Sequence, residues 1–210
     1  MRPYIKEACV EGLEQSLIAQ SRGANRLELC QRLDLDGLSP SPEAIAECRR
    51  ILTIPLRVMV RPHDKGYRYT SAELNEMKEI IDFCKILKVD AVVFGFLNDD
   101  HTIDIERTRE FVEYAHPLKT IFHRAIEKTP DISKSLEMLV TETQIDGILT
   151  SGISGKALNE IPFLKEMVGK MKGKELIVCG KVTDENIEHL HQEIGANAYH
   201  GRSIVGSLSN

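Results

Sequence analysis

The stretch Lys-Thr-Ile-Phe-His-Arg-Ala, residues 119–125, decides how the rest of the chain is interpreted. Three β-branched or aromatic residues in its middle predict a buried parallel strand, and the polar pair His123 and Arg124 follows directly. Other strand-like runs also end in polar or thiol side chains, at Cys30, Arg61, Ser151, Cys179 and His200. If these strand ends converge, they form one site.

The composition is that of a soluble globular protein. The chain has 210 residues, of which 42% are hydrophobic and 28% charged, and we expect a single domain over residues 1–210. A net charge of -5 and an aromatic content of 5% argue against a nucleic-acid partner. No apolar run of about 18 residues occurs, and residues 1–4 lack the apolar stretch of a signal peptide, so we expect no membrane association and a cytoplasmic location.

Five cysteines are present, and no C-x-x-C pair occurs among them. An odd number without that spacing indicates reduced thiols rather than a disulfide or zinc framework.

Apolar periodicity predicts strict alternation of eight strands with seven helices. Helix starts are marked by Ser41 before Pro42 and by a capping box from Thr70 to Glu73. This alternation predicts a (β/α)8 TIM-type barrel and favours it over a doubly wound open sheet. The strands are expected at residues 4–9, 25–30, 54–61, 91–97, 119–126, 146–152, 174–180 and 198–204.

The end of the chain predicts an incomplete outer ring of helices. Residues 205–210 are too few and too rich in Gly and Ser for a full eighth helix, so one flank of the barrel is expected to be bare. Apolar surface of that extent is seldom left in water, which predicts a homodimer or higher homo-oligomer. The alternative is that the first helix and the C-terminal tail cover the gap within one chain.

In such a barrel the strand C-termini line the catalytic mouth, which selects a site without further information. Glu7 and Glu28 each precede a cysteine by two residues, so all four side chains are predicted to point inward. The two carboxylates form either an acid/base pair or part of an ion network with neighbouring arginines. Cys9 and Cys30 are either two soft ligands for Cu(I) or two small buried thiols.

Further candidates lie at other strand ends. His123 is predicted to act as an acid/base group or a ligand. A turn at Gly180 and Lys181 opens a helix, and Arg202 follows the last strand. Barrels often hold phosphate at these two turns, although glycines also serve ordinary turns.

Several segments taken in order resemble the CutC family, the copper homeostasis proteins. The segments are Glu7-Ala8-Cys9, Asn25-Arg26-Leu27-Glu28-Leu29-Cys30, Arg61-Pro62, Phe122-His123-Arg124-Ala125, Leu149-Thr150-Ser151-Gly152 and His200. The resemblance covers nearly the whole chain and implies a barrel fold, a cytoplasmic location and Cu(I) binding at the positions of Cys9 and Cys30. The chain departs from the family pattern at Lys181 and at Gly201-Arg202, where a phosphate role is therefore not carried over.

Two functions follow as hypotheses. The first is copper homeostasis, with Cu(I) bound by the thiolates of Cys9 and Cys30. The second is an enzyme acting on a small anionic or phosphorylated metabolite, in which Arg61 and Arg124 hold the anion, and His123 works with Glu7 or Glu28 in acid/base catalysis. Ser151, Gly180, Lys181, His200 and Arg202 complete the predicted anion site.

The polar loop at residues 62–69 leaves the third strand beside Arg61. We expect it to fold over the mouth as a partial lid, bent at Gly66, with Tyr67 or Tyr69 closing on the ligand.

Overall fold

A computed structural model describes residues 3–208 and contains a closed barrel of eight parallel strands. Neighbouring strands in the barrel are neighbours in sequence, and β8 pairs with β1 through Glu7 and His200. The predicted (β/α)8 architecture is therefore confirmed. The strands are β1 Ile5–Val10, β2 Arg26–Leu29, β3 Leu56–Met59, β4 Ala91–Phe94, β5 Lys119–Phe122, β6 Gly147–Thr150, β7 Glu175–Val178 and β8 Ala198–Gly201.

Seven α-helices alternate with the strands within residues 3–208, and no eighth helix follows β8 there. The helix starts agree with the sequence signals: Ser41 accepts a hydrogen bond from Ala44 N, and Thr70 and Glu73 form the capping box. No helix in the described part of the chain is long and apolar enough to cross a membrane. The helices are α1 Leu13–Ser21, α2 Pro42–Ile51, α3 Ser71–Leu87, α4 Ile105–Ala115, α5 Ile132–Glu142, α6 Ile161–Lys170 and α7 Ile187–Ile194.

The strand expected at residues 119–126 is shorter than predicted. It ends at Phe122, and a short 3-10 helix, Arg124–Lys128, follows. The imidazole of His123 caps this helix by accepting a hydrogen bond from Ala125 N. Four other polar or thiol ends likewise follow their strands and lie at the mouth: Cys30, Arg61, Ser151 and Cys179. His200 instead lies within β8 and pairs with Glu7.

Alternation of side chains separates the barrel interior from the helix layer. Leu27 and Leu29 of β2 pack outward with the helices, whereas Arg26 and Glu28 point inward. Apolar residues from several strands, including Val93 and Ile121, fill the middle of the interior. The predicted inward orientation of the β2 polar residues is therefore correct.

An ion network closes the N-terminal end of the barrel. Arg26 and Arg57 both contact Glu7 of β1 and Glu175 at the start of β7. Arg57 Nη1 lies 3.2 Å from Glu7 Oε2, and Arg26 Nη1 lies 3.0 Å from Glu175 Oε1. These charges pair beneath the apolar layer, at the end of the interior opposite the one where the strand C-termini meet.

The expectation of a bare flank beside β8 is wrong. The outward residue of β8, Tyr199, is fully buried against the rings of Tyr4 and His191. Ile204 and Leu208 of the tail are buried too and belong to the same apolar cluster. The tail thus covers, within one chain, the surface that we expected a second copy of the chain to cover. The homo-oligomer stays a prediction, and the bare flank no longer supports it.

Candidate functional site

A cavity of about 490 Å³ opens at the C-terminal ends of the strands. It brings together ten of the twelve residues that the sequence assigned to a site. Glu7 and Ser151 do not line it: Glu7 lies below the floor in the ion network, and Ser151 bonds to Glu127. The ten lining residues are Cys9, Glu28, Cys30, Arg61, His123, Arg124, Gly180, Lys181, His200 and Arg202.

Two thiols lie side by side at the buried end of this cavity. The sulfurs of Cys9 and Cys30 are 4.0 Å apart, and both residues are buried. A hydrogen bond from Cys30, supported by the charge of His200, lowers the pKa of Cys9 to about 5. The same hydrogen bond and the burial of the site raise the pKa of Cys30 well above its usual value. The pair is a thiolate beside a thiol, and the thiol can ionise once a cation replaces its proton.

The two carboxylates have different environments. Burial acts to raise the pKa of Glu7, but the charges of Arg57 and Arg26 outweigh it and lower that pKa. Glu28 has no arginine within salt-bridge distance among the described residues, and burial raises its pKa to about 7. Its Oε1 lies 3.6 Å from Cys30 Sγ and is the alternative acceptor for the one S–H hydrogen of Cys30, while Oε2 is buried with no partner among residues 3–208. Glu7 is thus part of an ion network, and Glu28 is available for proton transfer.

His200 connects the ion network to the thiols. Its Nδ1 lies 2.9 Å from Glu7 Oε1. Burial disfavours the imidazolium, but the negative charges of Glu28 and Cys9 raise the pKa of His200 well above its usual value. A positive imidazole beside the sulfur helps to keep Cys9 ionised.

His123 is a neutral hydrogen-bond donor. Its Nδ1 accepts from Ala125 N at 3.2 Å, so the ring proton lies on Nε2, which is buried and has no partner in the described structure. Burial, with the charge of Arg61, lowers the pKa of His123 to about 3. A group with that pKa is a weak base at neutral pH, and its Nε2–H is a buried donor in a residue that lines the cavity.

Arg61 and Tyr67 lie beside His123. Arg61 is buried, and its Nη1 donates to Leu35 O at 2.9 Å and to Gly37 O at 3.1 Å, which fixes the guanidinium. Its Nε has no partner within residues 3–208. The ring of Tyr67 lies 5.2 Å from Arg61 Cζ and 5.1 Å from the His123 ring.

The loop at residues 62–69 therefore reaches the mouth through Tyr67, the residue of the loop that lines the cavity. Tyr69 instead packs against Phe96. The closing of this loop on a ligand stays a prediction.

Glu127 lines the cavity, and the sequence interpretation missed it. Its Oε1 accepts hydrogen bonds from Ser151 N at 2.6 Å and Ser151 Oγ at 2.9 Å, and its Oε2 accepts from Arg124 Nη2 at 2.8 Å. Ser151 and Arg124 are therefore engaged by protein groups. The signal for it was the spacing of three residues between Arg124 and Glu127, which places both on one face of a helical turn.

The glycine at the end of β7 serves packing. Gly180 has a positive φ of 93°, and a Cβ there would lie 2.5 Å from the Cβ of Ser151. Lys181, also at positive φ, and Arg202 are exposed at the rim of the cavity, where Arg202 donates to Leu33 O. These two turns supply positive charge at the entrance.

Comparisons with known proteins place this geometry in a family context. The model of the CutC family matches residues 4–205. The chain is 37% identical over 208 residues to a family protein CutC from Parabacteroides distasonis, covering 97% of this chain and 85% of the relative. It is 33% identical over 198 residues to the copper homeostasis protein cutC homolog of Mus musculus, covering 94% of this chain and 72% of the relative.

Solved structures agree with the sequence comparison. A CutC protein from Streptococcus agalactiae superposes with a TM-score of 0.89 at 31% identity and covers 96% of this chain and 99% of its own. A tryptophan synthase α-subunit from Pyrococcus furiosus reaches a TM-score of 0.66 at 16% identity, over 96% of this chain and 88% of its own. The second likeness reflects the barrel fold alone.

Proposed function

The chain belongs to the CutC family, and from that premise we propose that it binds Cu(I) between the sulfurs of Cys9 and Cys30, with copper as its cargo. The observation that carries the proposal is the 4.0 Å separation of two buried sulfurs, one of them ionised, at the floor of an accessible cavity. Thiolates are the soft ligands that select Cu(I) over harder divalent ions.

The surrounding donors fit this cargo. The ligand atoms of Cys9, Glu28 and Cys30 all lie within 4.8 Å of one another. Each thiol needs to be ionised to bind the metal, so the proton of Cys30 leaves on binding, and Glu28 is placed to receive it. We place the protein in the cytoplasm, because its five free cysteines suit a reducing compartment.

The test is a competition between the protein and a Cu(I) chelator under anaerobic conditions. A Cys9→Ser, Cys30→Ser double variant is expected to lose roughly a thousandfold or more in Cu(I) affinity, about 4 kcal/mol. The matched control is Cys84→Ser, which removes a buried thiol of α3 that packs in the helix layer, away from the cavity. Wild-type affinity in the double variant would refute the proposal.

A second candidate function is an enzyme acting on a small anionic metabolite. The observation that favours it is the pair of buried, unpartnered donors, Arg61 Nε and His123 Nε2, on the wall of the cavity. In this proposal Arg61 and His123 hold the anion, and Glu28 transfers the proton, because its pKa of about 7 suits acid/base work near neutral pH.

The second candidate is tested by a thermal-shift screen of carboxylated and phosphorylated metabolites, with and without Cu(I). A metabolite that raises the melting temperature of the wild type, and fails to do so in Arg61→Ala, supports an enzyme. A response to copper without any metabolite response counts against it.

A further inference from the structure

Positive charge dominates the approach to the two thiols. Glu127, one of the acidic groups on the cavity wall, is already hydrogen-bonded to Arg124. Besides the imidazole of His200, the wall carries five arginine and lysine side chains, Arg61, Arg124, Lys128, Lys181 and Arg202, and three carboxyl groups, Glu28, Asp36 and Glu127. A bare metal cation that approached Cys9 through this mouth would meet net repulsion.

Two buried hydrogen-bond donors on the same wall are available to an acceptor from a ligand. Arg61 Nε and His123 Nε2 both carry hydrogen, and neither has a partner in the described structure. A buried donor without a partner costs free energy, which an incoming oxygen acceptor would recover. Both groups lie beside Tyr67, so they belong to one corner of the cavity. A carboxylate or another oxyanion fits this corner because both groups are donors and one is positively charged.

The size of the cavity agrees with a molecular ligand. Its volume of about 490 Å³ lies within the range of roughly 300 to 1,000 Å³ that is typical of sites for small organic molecules. A lone ion between Cys9 and Cys30 would leave most of this space unused.

Taking the proposed Cu(I) site as given, we propose that the copper enters as an anionic complex with small thiols that carry carboxylate groups. The oxyanion of the carrier binds Arg61 and His123, and its sulfur end reaches the two protein thiols. The basic wall then attracts copper that arrives as an anionic complex, whereas it would repel copper that arrives as a free cation. In this assignment a single ligand contacts both the thiol pair of Cys9 and Cys30 and the corner formed by Arg61 and His123.

The transfer is a ligand exchange in which copper stays Cu(I). Two Cu–S bonds to the carrier thiolates break, and two form to the sulfurs of Cys9 and Cys30. Cys9 attacks as a thiolate. The proton of Cys30 passes to one departing carrier sulfur, directly or through Glu28, so one carrier leaves as a thiol and the other as a thiolate. The total charge is the same before and after the exchange.

The experiment compares Cu(I) complexes of three thiols that differ in charge: mercaptoacetate, 2-mercaptoethanol and cysteamine. Each is set to the same free Cu(I) activity, and the uptake rate is followed by the absorbance of the copper–thiolate bond under anaerobic conditions. The wild type is expected to load from mercaptoacetate roughly tenfold or more faster than from cysteamine, with a difference that shrinks as salt is added. Arg61→Gln is expected to lose this preference.

Arg50→Gln is the matched control, because Arg50 is an exposed arginine of α2 outside the cavity, and it is expected to keep the preference. Without copper, mercaptoacetate is expected to raise the melting temperature of the wild type more than 2-mercaptoethanol does, a readout that needs no variant. Equal uptake from all three donors by a protein whose copper binding needs Cys9 and Cys30 would overturn this inference alone. Copper uptake that does not need the thiols would overturn the proposed function as well.

Discussion

The charged groups at the two ends of the barrel interior differ in how they are paired. At the closed end, Arg26 and Arg57 pair with the buried Glu7 and with Glu175, which is partly exposed. At the open end, Glu28 has no arginine partner within salt-bridge distance among residues 3–208. In the same part of the chain, Arg61 Nε and His123 Nε2 have no acceptors. The paired charges of the closed end stabilise the fold, and the unpaired groups of the open end support the proposed ligand site.

The stagger between strands produces this difference from two similar segments. Glu7 and Glu28 each precede a cysteine by two residues. The pairing of β1 with β2, however, sets Glu7 opposite Arg26 and Cys9 opposite Glu28. Glu28 therefore sits one layer nearer the mouth, at the level of the thiols. The tilt of strands in a closed barrel imposes such a shift.

The largest expected effect tests the closed end. Glu7→Gln removes the carboxylate that Arg26, Arg57 and His200 share, and it leaves buried positive charge uncompensated. We expect the free energy of unfolding to fall by about 3 to 5 kcal/mol, measured by urea denaturation. Asp34→Asn, which breaks an exposed pair with Arg32, is the control and is expected to change nothing measurable. Equal effects of both substitutions would show that the network adds no stability.

The pH dependence of stability tests the open end. The pKa of Glu28 is about 7 in the folded protein and near its ordinary value of 4.5 when unfolded. Between these values the unfolded chain releases the proton and the folded chain keeps it. The contribution of this group is therefore fully present below pH 4.5 and is lost as the pH rises to about 7, by up to about 3 kcal/mol.

Urea denaturation of wild type and Glu28→Gln across this pH window checks the prediction. The variant is expected to lack this loss. Glu7 acts in the opposite sense, because its lowered pKa contributes stability at neutral pH that is lost on acidification. A wild type whose stability changes with pH in parallel with the Glu28→Gln variant would contradict the difference between the two carboxylates.

A smaller effect concerns the packing that positions His123. A Cβ at Gly95 would lie 2.6 Å from the His123 ring, so Gly95→Ala should displace the imidazole and lower the free energy of unfolding by about 1 to 3 kcal/mol. Gly169→Ala in α6 is the control, because the space around it is open and its backbone is helical, and it is expected to stabilise by about 0.5 to 1 kcal/mol. Loss of equal size in both variants would argue against a fixed imidazole.

The smallest effect concerns the loop at residues 62–69. Tyr67→Ala removes the ring beside Arg61 and His123 and is expected to weaken binding of mercaptoacetate severalfold, about 1 kcal/mol, measured by calorimetry. Tyr67→Phe keeps the ring and is expected to bind like the wild type. Unchanged binding in Tyr67→Ala would assign the loop a role outside the site.

Most of the mouth could be predicted because the period of two and the rule for strand ends are local properties of a sequence. The alternation on β2 identified Glu28 and Cys30, and the rule for parallel barrels gathered Arg61, His123 and His200. The predictions that failed depended on tertiary contacts. Glu127 was missed because the strand was extended through residue 126, and the capping of the 3-10 helix by His123 was not recognised.

The same limit applies to electrostatics and to the outer surface. Nothing in the sequence states the stagger between β1 and β2, so the division of roles between Glu7 and Glu28 stayed open until the pairing was known. The cover over Tyr199 comes from His191 of α7, from Tyr4, which is distant in sequence, and from the tail, which lacks a periodic pattern. The bare flank was expected because residues 205–210 are too few for a helix, whereas the structure agrees with the alternative in which the tail covers the gap.

The most direct test of the central claim is X-ray absorption at the copper edge on the wild type loaded with one equivalent of Cu(I). Binding between Cys9 and Cys30 predicts a spectrum of Cu(I) with at least two sulfur neighbours, and the loss of those sulfur neighbours in the Cys9→Ser, Cys30→Ser variant. A wild-type spectrum with only oxygen or nitrogen neighbours would contradict the account.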